Sequence, residues 1–468
     1  MKILLIHPRL IDSINKESET VIENIGFVPP LGIAYIASSL ENNGHQVSIL
    51  DCEALELSPA EIKNRIETLK PEVVGVSALT TNIRGALESA EIAKEAGSIV
   101  IMGGPHLMVF PQETLSYRFI DYGIRGEGEI AMVELLHCIE REQPLGKIPG
   151  AVFRVNGQIV VNEPAQVDDI DAVPIPAYHL LPSHKYEISN FGGKTLSMFT
   201  TRGCPYNCGF CYRNPLLYKV RKRDPAKVVD EIEYVLKKFK INHINFVDEV
   251  ITFDKKHISA VCEEILTRNL AIRWQRWQAA TRVDTVDYKL LELMHRAGCH
   301  TLRFGVESGN QEIINLMNKK TTLRQAAENL RLCKKVGIKT VAYFIIGYLS
   351  ETDQTVSDTI AFAKDLSPDY AIFGPAYPLP ETKLFNDAVK EGLVEPEYWR
   401  EFVLGKRTDA VPFLFPDTRG WVARAYRSFY FRPGYILKRF CEIDSWKNLA
   451  KNCKTALSLL QLKTNQSQ

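Results

Sequence analysis

The run TLSMFTTRGCPYNCGFCYR, Thr195–Arg213, leads an apolar, strand-like stretch straight into three cysteines, Cys204, Cys208 and Cys211. The chain holds 10 cysteines in 468 residues, and the others stand singly. A turn that gathers thiols directly after a strand puts them at the strand's carboxyl end. That is the end where α/β sheets place their chemistry.

Downstream, the runs HINFVDE, RWQAATR, HTLRFGVES, TVAYFIIG and DYAIFGPAYP continue the strand pattern. Helical spacing lies between them, as in PAKVVDEIEYVLKKFK and TLRQAAENLRLCKKVG. Six βα units predict a parallel, barrel-like sheet that is incomplete, because a full barrel takes eight. Upstream, KILLIHP, QVSILDCE, EVVGVSAL, SIVIMGGP and YGIRGEGE are strand runs separated by helical ones such as SPAEIKNRIETLK. That alternation predicts a doubly wound parallel sheet with helices on both faces. AVFRVNGQIVVN reads as a hairpin turning at Asn156-Gly157. Pro174, Pro176 and Pro182 mark a linker. The expected fold class is α/β. A doubly wound sheet occupies residues 1–145, the hairpin and Pro-rich linker 146–190, a partial (β/α)6 barrel 191–382, and a helical C-terminal region 383–468.

Hydrophobic content of 45% and charged content of 24% are those of an ordinary globular chain. The formal net charge of +1 gives no global pull toward nucleic acid, which is not expected as a partner. The basic run KVRKR, Lys219–Arg223, reads as a solvated turn. MKILLIHP is strand-like rather than a secretory signal, and no window approaches the roughly 18 apolar residues of a membrane span. The expected compartment is the cytoplasm, where thiols stay reduced. The cysteine cluster is then metal-binding or redox-active rather than a disulfide framework. The single cysteines, among them Cys52, Cys138 and Cys453, read as small structural residues.

Thiolates are the soft ligands that iron–sulfur clusters require. Three of them on a [4Fe–4S] cluster leave one iron open to a small ligand. A structural zinc would want a fourth Cys or His at short spacing. The nearest histidines, His179 and His184, lie upstream in the linker. With Phe210 before the last cysteine, the Cys-x3-Cys-x2-Cys spacing resembles the signature of the radical S-adenosylmethionine (SAM) superfamily. The resemblance continues over roughly Thr195 to Thr382. NFVDEVIT is similar to the family's acidic motif, here Asp248-Glu249. RFGVESGNQEIINLMNK resembles its ribose-binding strand end, with Glu307 and Ser308. FIIGYLSET resembles its adenine motif, with Gly347 and Glu351. YPLPETKLF departs from a Pro-Gly-Thr pattern by placing Glu381 where Gly is usual.

The resemblance implies that Cys204, Cys208 and Cys211 hold the cluster. Asp248 or Glu249 would take the SAM ammonium, Arg282 its carboxylate, Glu307 and Ser308 the ribose, and Phe210 and Gly347 the adenine. Taken alone, a strand-end carboxylate is as readily a helix cap, and Arg282 is as readily a structural ion-pair partner.

In the first sheet, Ser77 and Leu79 end the third strand run and Gly103-Gly104 the fourth. These resemble the Ser-x-Leu and Gly-Gly elements of the cobalamin-binding domain often fused to radical SAM barrels. RGEGE, Arg125–Glu129, with Glu127 at its centre, resembles the loop after the fifth strand in the same proteins. The Asp-x-His-x-x-Gly motif is absent, so the resemblance implies a cobalt without a lower histidine ligand. His106, in GGPHLM, reads as a helix cap or as a residue lining the cobalt face.

Taken together, the resemblance implies an enzyme that reductively cleaves SAM to a 5′-deoxyadenosyl radical. Its cofactors would be a [4Fe–4S] cluster, SAM and cobalamin. A low-potential donor such as flavodoxin or ferredoxin would supply the electron. The first reading of the reaction is methylation of an unactivated carbon on a small-molecule or lipid-like substrate. Radical cyclisation or oxidative rearrangement, of a tetrapyrrole for instance, stands beside it, and RNA methylthiolation comes third. The aromatic-basic tail RAYRSFYFRPGYILKRF, Arg424–Phe440, reads either as a helical cap over the barrel mouth or as a surface for peripheral membrane contact.

Overall fold

A computed structural model describes residues 1–9, 28–186, 194–212, 214–270, 276–408 and 412–441. Residues 409–411 and 442–468 of the C-terminal region expected to be helical, Cys453 among them, lie outside the described residues, as do residues 187–193 at the expected linker–barrel junction. Over their described residues, two compact units divide the chain. Of the described residues, one comprises 1–9, 28–186, 194–197 and 396–408; the other comprises 198–212, 214–270, 276–395 and 412–441.

The first unit is built on a seven-stranded sheet. Its strands are β1 (Lys2–His7), β2 (Gln46–Asp51), β3 (Val73–Ser77), β4 (Ile99–Gly103), β5 (Tyr122–Ile124), β6 (Ala151–Val155) and β7 (Gln158–Val161). The order is β2-β1-β3-β4-β5-β6-β7. β1 to β5 pair in parallel, and the β6–β7 hairpin adds antiparallel at the edge. The predicted Asn156-Gly157 turn is there, with both residues at positive φ of 50° and 80°. The winding direction reverses between β1 and β3, as in doubly wound sheets. Alternate apolar runs make it so. β1, β3 and β4 are buried along nearly their whole length, which requires cover on both faces. Helix Pro59–Leu69 starts with a capping box between Ser58 and Glu61.

The second unit carries a six-stranded sheet. Its strands are β8 (Thr195–Met198), β11 (His243–Phe246), β12 (Arg276–Arg282), β13 (Cys299–Glu307), β14 (Lys339–Ile346) and β15 (Tyr370–Pro375). They lie in chain order from β8 to β15, with β11 to β15 parallel. β15 and β8 are the two open edges, so this is the incomplete barrel that the six βα units predict. A two-stranded antiparallel ladder of β9 (Thr201–Arg202) and β10 (Arg221–Lys222) interrupts the first βα connection.

That ladder corrects the reading of KVRKR as a solvated turn. Arg221 and Arg223 are only 5% and 7% exposed. Arg223 donates to Glu231 Oε2 at 2.6 Å in a buried pair and to Phe199 O at 3.2 Å. The tail also departs from the first of its two expected placements, a cap over the barrel mouth. Helix Thr418–Tyr430 is packed, but along the edge strand β15 rather than over the strand ends. Tyr430 Oη accepts from Ala371 N at 3.1 Å and donates to Ala371 O at 2.8 Å. Tyr426 Oη accepts from Phe373 N at 3.2 Å, and Tyr435 Oη donates to Asp369 O at 2.9 Å. The tyrosine hydroxyls take the place of a seventh strand, satisfying edge groups that would otherwise invite pairing. Tyr430→Phe should therefore cost about 1–3 kcal/mol, less than the full penalty for two stranded groups because both bonds are only partly buried. The check is a lower denaturant midpoint with an unchanged slope.

Candidate active site

The three cysteines sit in a loop whose path is fixed by backbone contacts. Gly203 has φ of +112°, and a Cβ there would stand 2.8 Å from Lys219 O and 2.9 Å from Leu217 O, so only glycine passes. Cys204 N donates to Leu217 O at 2.8 Å. Gly209 N donates to Met317 O at 2.8 Å, and Gly209 O accepts from Leu384 N at 2.9 Å. Asn318 Nδ2 donates to Asn207 O at 2.6 Å. Cys211 N closes a turn onto Cys208 O at 3.2 Å. Burial pushes the Cys211 thiol up to about 11, reinforced by Cys208 and Cys204 and then by Glu307, with Lys319 opposing. Charge on Cys208 or Cys204 thus makes Cys211 harder to deprotonate, and a cationic centre between them reverses that cost.

Asp248 is 2% exposed and works on this loop from below. Its Oδ1 accepts from Thr200 Oγ1 at 2.7 Å, Thr201 N at 2.7 Å and Thr201 Oγ1 at 2.8 Å, and Thr200 N reaches both of its oxygens at 3.1 Å. Burial pushes its pKa up, against the hydrogen bonds from Thr200 and Thr201. Glu249 Oε2 accepts from Gly203 N at 3.1 Å.

Arg282 ends β12 beneath the cysteines. Its Nε and Nη2 grip Asp284 at 2.9 and 3.0 Å, Nη2 also donates to Lys319 O at 2.7 Å, and Nη1 lies 3.7 Å from Cys208 Sγ. The guanidinium stacks 3.7 Å from the centre of the Tyr206 ring. Burial alone lowers its pKa, but the Asp284 hydrogen bonds outweigh burial and hold it above the ordinary range.

Glu307 has φ of 70° and is 6% exposed. It pairs with the buried Lys319, and the pair lies over Gly305, where a Cβ would stand 2.6 Å from Lys319 Nζ. Lys319 Nζ is also 5.8 Å from the Phe210 ring. Ser308 is fully buried, with Oγ 3.0 Å from Thr359 Oγ1 and accepting from Asn310 N at 3.1 Å. Gly347 has φ of 84° and a Cβ there would meet Thr418 Oγ1 at 2.6 Å. Gly347 N and Tyr348 N both donate to Glu351 Oε2, the latter at 3.1 Å. Burial pushes Glu351 up to about 7, and its Oε1 is buried with no partner among the described residues.

In the first unit, Ser77 pairs with Gly103 at the carboxyl ends of β3 and β4. Gly104 has φ of +93° and a Cβ there would stand 2.6 Å from Ala78 O, so this crossing is closed to any side chain. Leu79, just past β3, is 42% exposed. Glu127 accepts from Val167 N at 2.6 Å, and its own N donates to Ala165 O at 2.9 Å, fastening the segment after the hairpin. His106 is fully buried, pushed down to about 3 by burial, with Nδ1 3.0 Å from Thr80 Oγ1.

Residues 198–363 match the Radical SAM superfamily, and residues 20–136 match the B12 binding domain. An uncharacterized methyltransferase of Pyrococcus horikoshii is 34% identical, over 94% of this chain and 95% of the relative. The anaerobic magnesium-protoporphyrin IX monomethyl ester cyclase of Rubrivivax gelatinosus is 30% identical, over 97% of this chain and 82% of the relative. The chain belongs to the radical SAM superfamily. Among solved structures, the cobalamin-dependent SAM radical enzyme OxsB matches with a TM-score of 0.73 at 19% identity, over 98% of this chain and 72% of that one, which is a likeness of fold.

As a radical SAM enzyme the chain uses a [4Fe–4S] cluster and SAM, and its B12 binding domain adds cobalamin. The thiol set fits the cluster. Among the described residues no three His, Cys, Asp or Glu side chains converge as ligands of one metal ion. Thiolates bound to separate irons need not converge in that way. Small residues at the ends of β3 and β4, beside an exposed leucine, fit a bulky ligand lying across those strands. Sequence reasoning passed over Tyr206, which lies between the first two cysteines, and Lys319, which ends the stretch resembling the ribose motif. Neither had a signal of its own, because each acts through a partner distant in sequence. Among the described residues no helix is long and apolar enough to cross a membrane.

Proposed function

We propose that this radical SAM enzyme transfers a methyl group to an unactivated carbon of a small-molecule or lipid-like substrate. The observation that carries this reading is similarity along nearly the whole chain to a relative named a methyltransferase. When bound, the cluster and SAM supply hydrogen-abstracting radical chemistry and cobalamin supplies a transferable methyl group. The chain's own residues do the holding. Cys204, Cys208 and Cys211 would ligate the cluster. Glu249, which offers a second carboxylate oxygen beside Gly203, would accept from the SAM ammonium. Glu307 would meet the ribose, with Lys319 fixing its carboxylate, and Phe210 and the Gly347 backbone would flank the adenine.

Asp248 and Ser308 act one layer back, since their polar atoms are spent on Thr200, Thr201, Thr359 and Asn310. Arg282 belongs with them, because Asp284 and Lys319 O already occupy much of its fork. In the first unit, Ser77, Leu79, Gly103 and Gly104 would seat cobalamin, and Glu127 would hold the loop beside it. A low-potential flavodoxin or ferredoxin would supply electrons.

Radical cyclisation is the second reading, favoured by the relative named a cyclase. One experiment separates them. The reconstituted protein is given a low-potential reductant, methyl-deuterated SAM and an anaerobic extract of its source cells. Methylation is expected to raise 5′-deoxyadenosine and S-adenosylhomocysteine together and to put a deuterated methyl into an extract component. A rise in 5′-deoxyadenosine alone, with cobalamin bound, overturns methylation in favour of cyclisation.

A further inference from the structure

Along β13 every second side chain in the middle of the strand is closed. Leu302, Phe304 and Val306 are buried, whereas Arg303 and Gly305 are partly open. The strand register puts Ala280 opposite Arg303, Arg282 opposite Gly305, and Asn245 opposite Gln278. Arg303 therefore shares the face of Arg282, one pleat, about 7 Å, below it. Its Nη2 donates to Asn245 Oδ1 at 2.9 Å and to Phe246 O at 3.4 Å, and Asn245 Oδ1 also takes Gln278 Nε2 at 3.2 Å. Each of these acceptors is neutral. Arg303 Nε is buried without a partner among the described residues.

Two other buried guanidiniums of this unit are paired with an acid. Arg223 pairs with Glu231 at 2.6 Å and Arg282 with Asp284 at 2.9 Å. Burial lowers the Arg303 pKa, only the Tyr343 hydroxyl opposes it, and no carboxylate contributes. A desolvated cation without an acid is costly, and an arriving anion removes that cost. The neighbouring surface is apolar. Tyr343 lies opposite Gly305, Ile372 lies opposite Tyr343, and both, with Ile345, are partly open on this face.

We propose that Arg303, with Asn245, Gln278 and Tyr343, forms a substrate subsite inside the barrel that takes the carboxylate of a small molecule with an apolar body. The proposal rests on the reading of this chain as an enzyme acting on a small molecule. With Nη2 released from its long 3.4 Å contact with Phe246 O, Nε and Nη2 present the planar edge that matches a carboxylate in two parallel hydrogen bonds, and Ile345, Ile372 and the Tyr343 ring would cover the carbon chain.

The test uses the full-length, cluster-loaded protein with sodium hexanoate, its neutral counterpart hexanamide, and inorganic phosphate, all at constant ionic strength. Thermal unfolding and intrinsic fluorescence report binding. Hexanoate is expected to stabilise the wild type saturably and hexanamide is not. Arg303→Met should weaken hexanoate at least tenfold. An equal response to hexanamide, or an unchanged hexanoate response in a folded Arg303→Met, would each overturn the subsite. A response to phosphate that exceeds hexanoate would overturn the carboxylate assignment. Should the methionine variant fail to fold, Arg303→Lys keeps the charge without the fork and is expected to bind hexanoate severalfold more weakly. The wild-type contrast between hexanoate and hexanamide decides even if neither variant folds. None of these readouts needs SAM turnover, so failure here leaves the enzyme's radical chemistry untouched. Conversely, absence of 5′-deoxyadenosine formation leaves the anion subsite standing.

Discussion

Cys208→Ala is expected to abolish SAM cleavage altogether, with 5′-deoxyadenosine falling to the level of a protein-free control. The same holds for Cys204→Ala and Cys211→Ala, but Cys208 is the most telling of the three. Its thiol is the one facing Arg282, at 3.7 Å. Loss of a thiolate costs one of the three soft ligands that the cluster requires. The fold should persist. The loop is held by backbone bonds from Cys204 N, Gly209 N and Gly209 O to Leu217, Met317 and Leu384, and none of these involves a thiol. Iron and sulfide content after reconstitution should drop, while far-ultraviolet circular dichroism and the denaturant midpoint of the cluster-free protein stay at wild-type values. Turnover retained in all three variants would refute the assignment of the cluster to this loop.

Much of this was legible in the sequence because the physics behind it is local. β13 over residues 302–306 and β14 over residues 342–346 alternate closed and open side chains, and helix Leu323–Val336 begins at a Thr322–Gln325 capping box and ends at Gly337 in the left-handed region. Periodicity and caps announce such elements without any knowledge of their neighbours. What was illegible depends on pairs far apart in the chain. β9 and β10 are two residues each, too short to carry a period, so KVRKR read as a turn although Arg223 meets Glu231 in the core. The tail tyrosines read as a generic aromatic-basic surface. Their hydroxyls find Ala371 and Phe373 only because the barrel stops at β15 and leaves an edge to be covered. The acidic pair Asp248-Glu249 stands out in the sequence as two successive carboxylates after a strand run. Its division of labour was not visible, since it is set by contacts with Thr200, Thr201 and Gly203, which are distant in the chain.

That division supplies the second large effect. Asp248→Ala is expected to destabilise the barrel unit by about 2–6 kcal/mol. The figure is the cost of leaving the Thr200 and Thr201 N–H groups buried without an acceptor, at roughly 1–3 kcal/mol each. The two hydroxyls can rotate toward other acceptors and add less. The displaced segment leads straight into Gly203 and Cys204, so cluster loading should fall in parallel with stability, and SAM cleavage with it. Asp248→Asn keeps one oxygen of similar shape and loses the charge, so it should lie between wild type and Asp248→Ala on both measures. Glu249→Gln should behave otherwise. Glu249 takes one hydrogen bond from this loop, at Gly203 N, and an amide oxygen can still accept it. Iron content and denaturant midpoint should stay near wild type while the KM for SAM rises, because a neutral amide loses the charge that attracts an ammonium. If Asp248→Asn raised the KM for SAM with iron content intact, the two carboxylates would have to exchange roles. The hydrogen bonds of Asp248 argue against that exchange, since a carboxylate already accepting from Thr200 and Thr201 has little capacity left for a ligand.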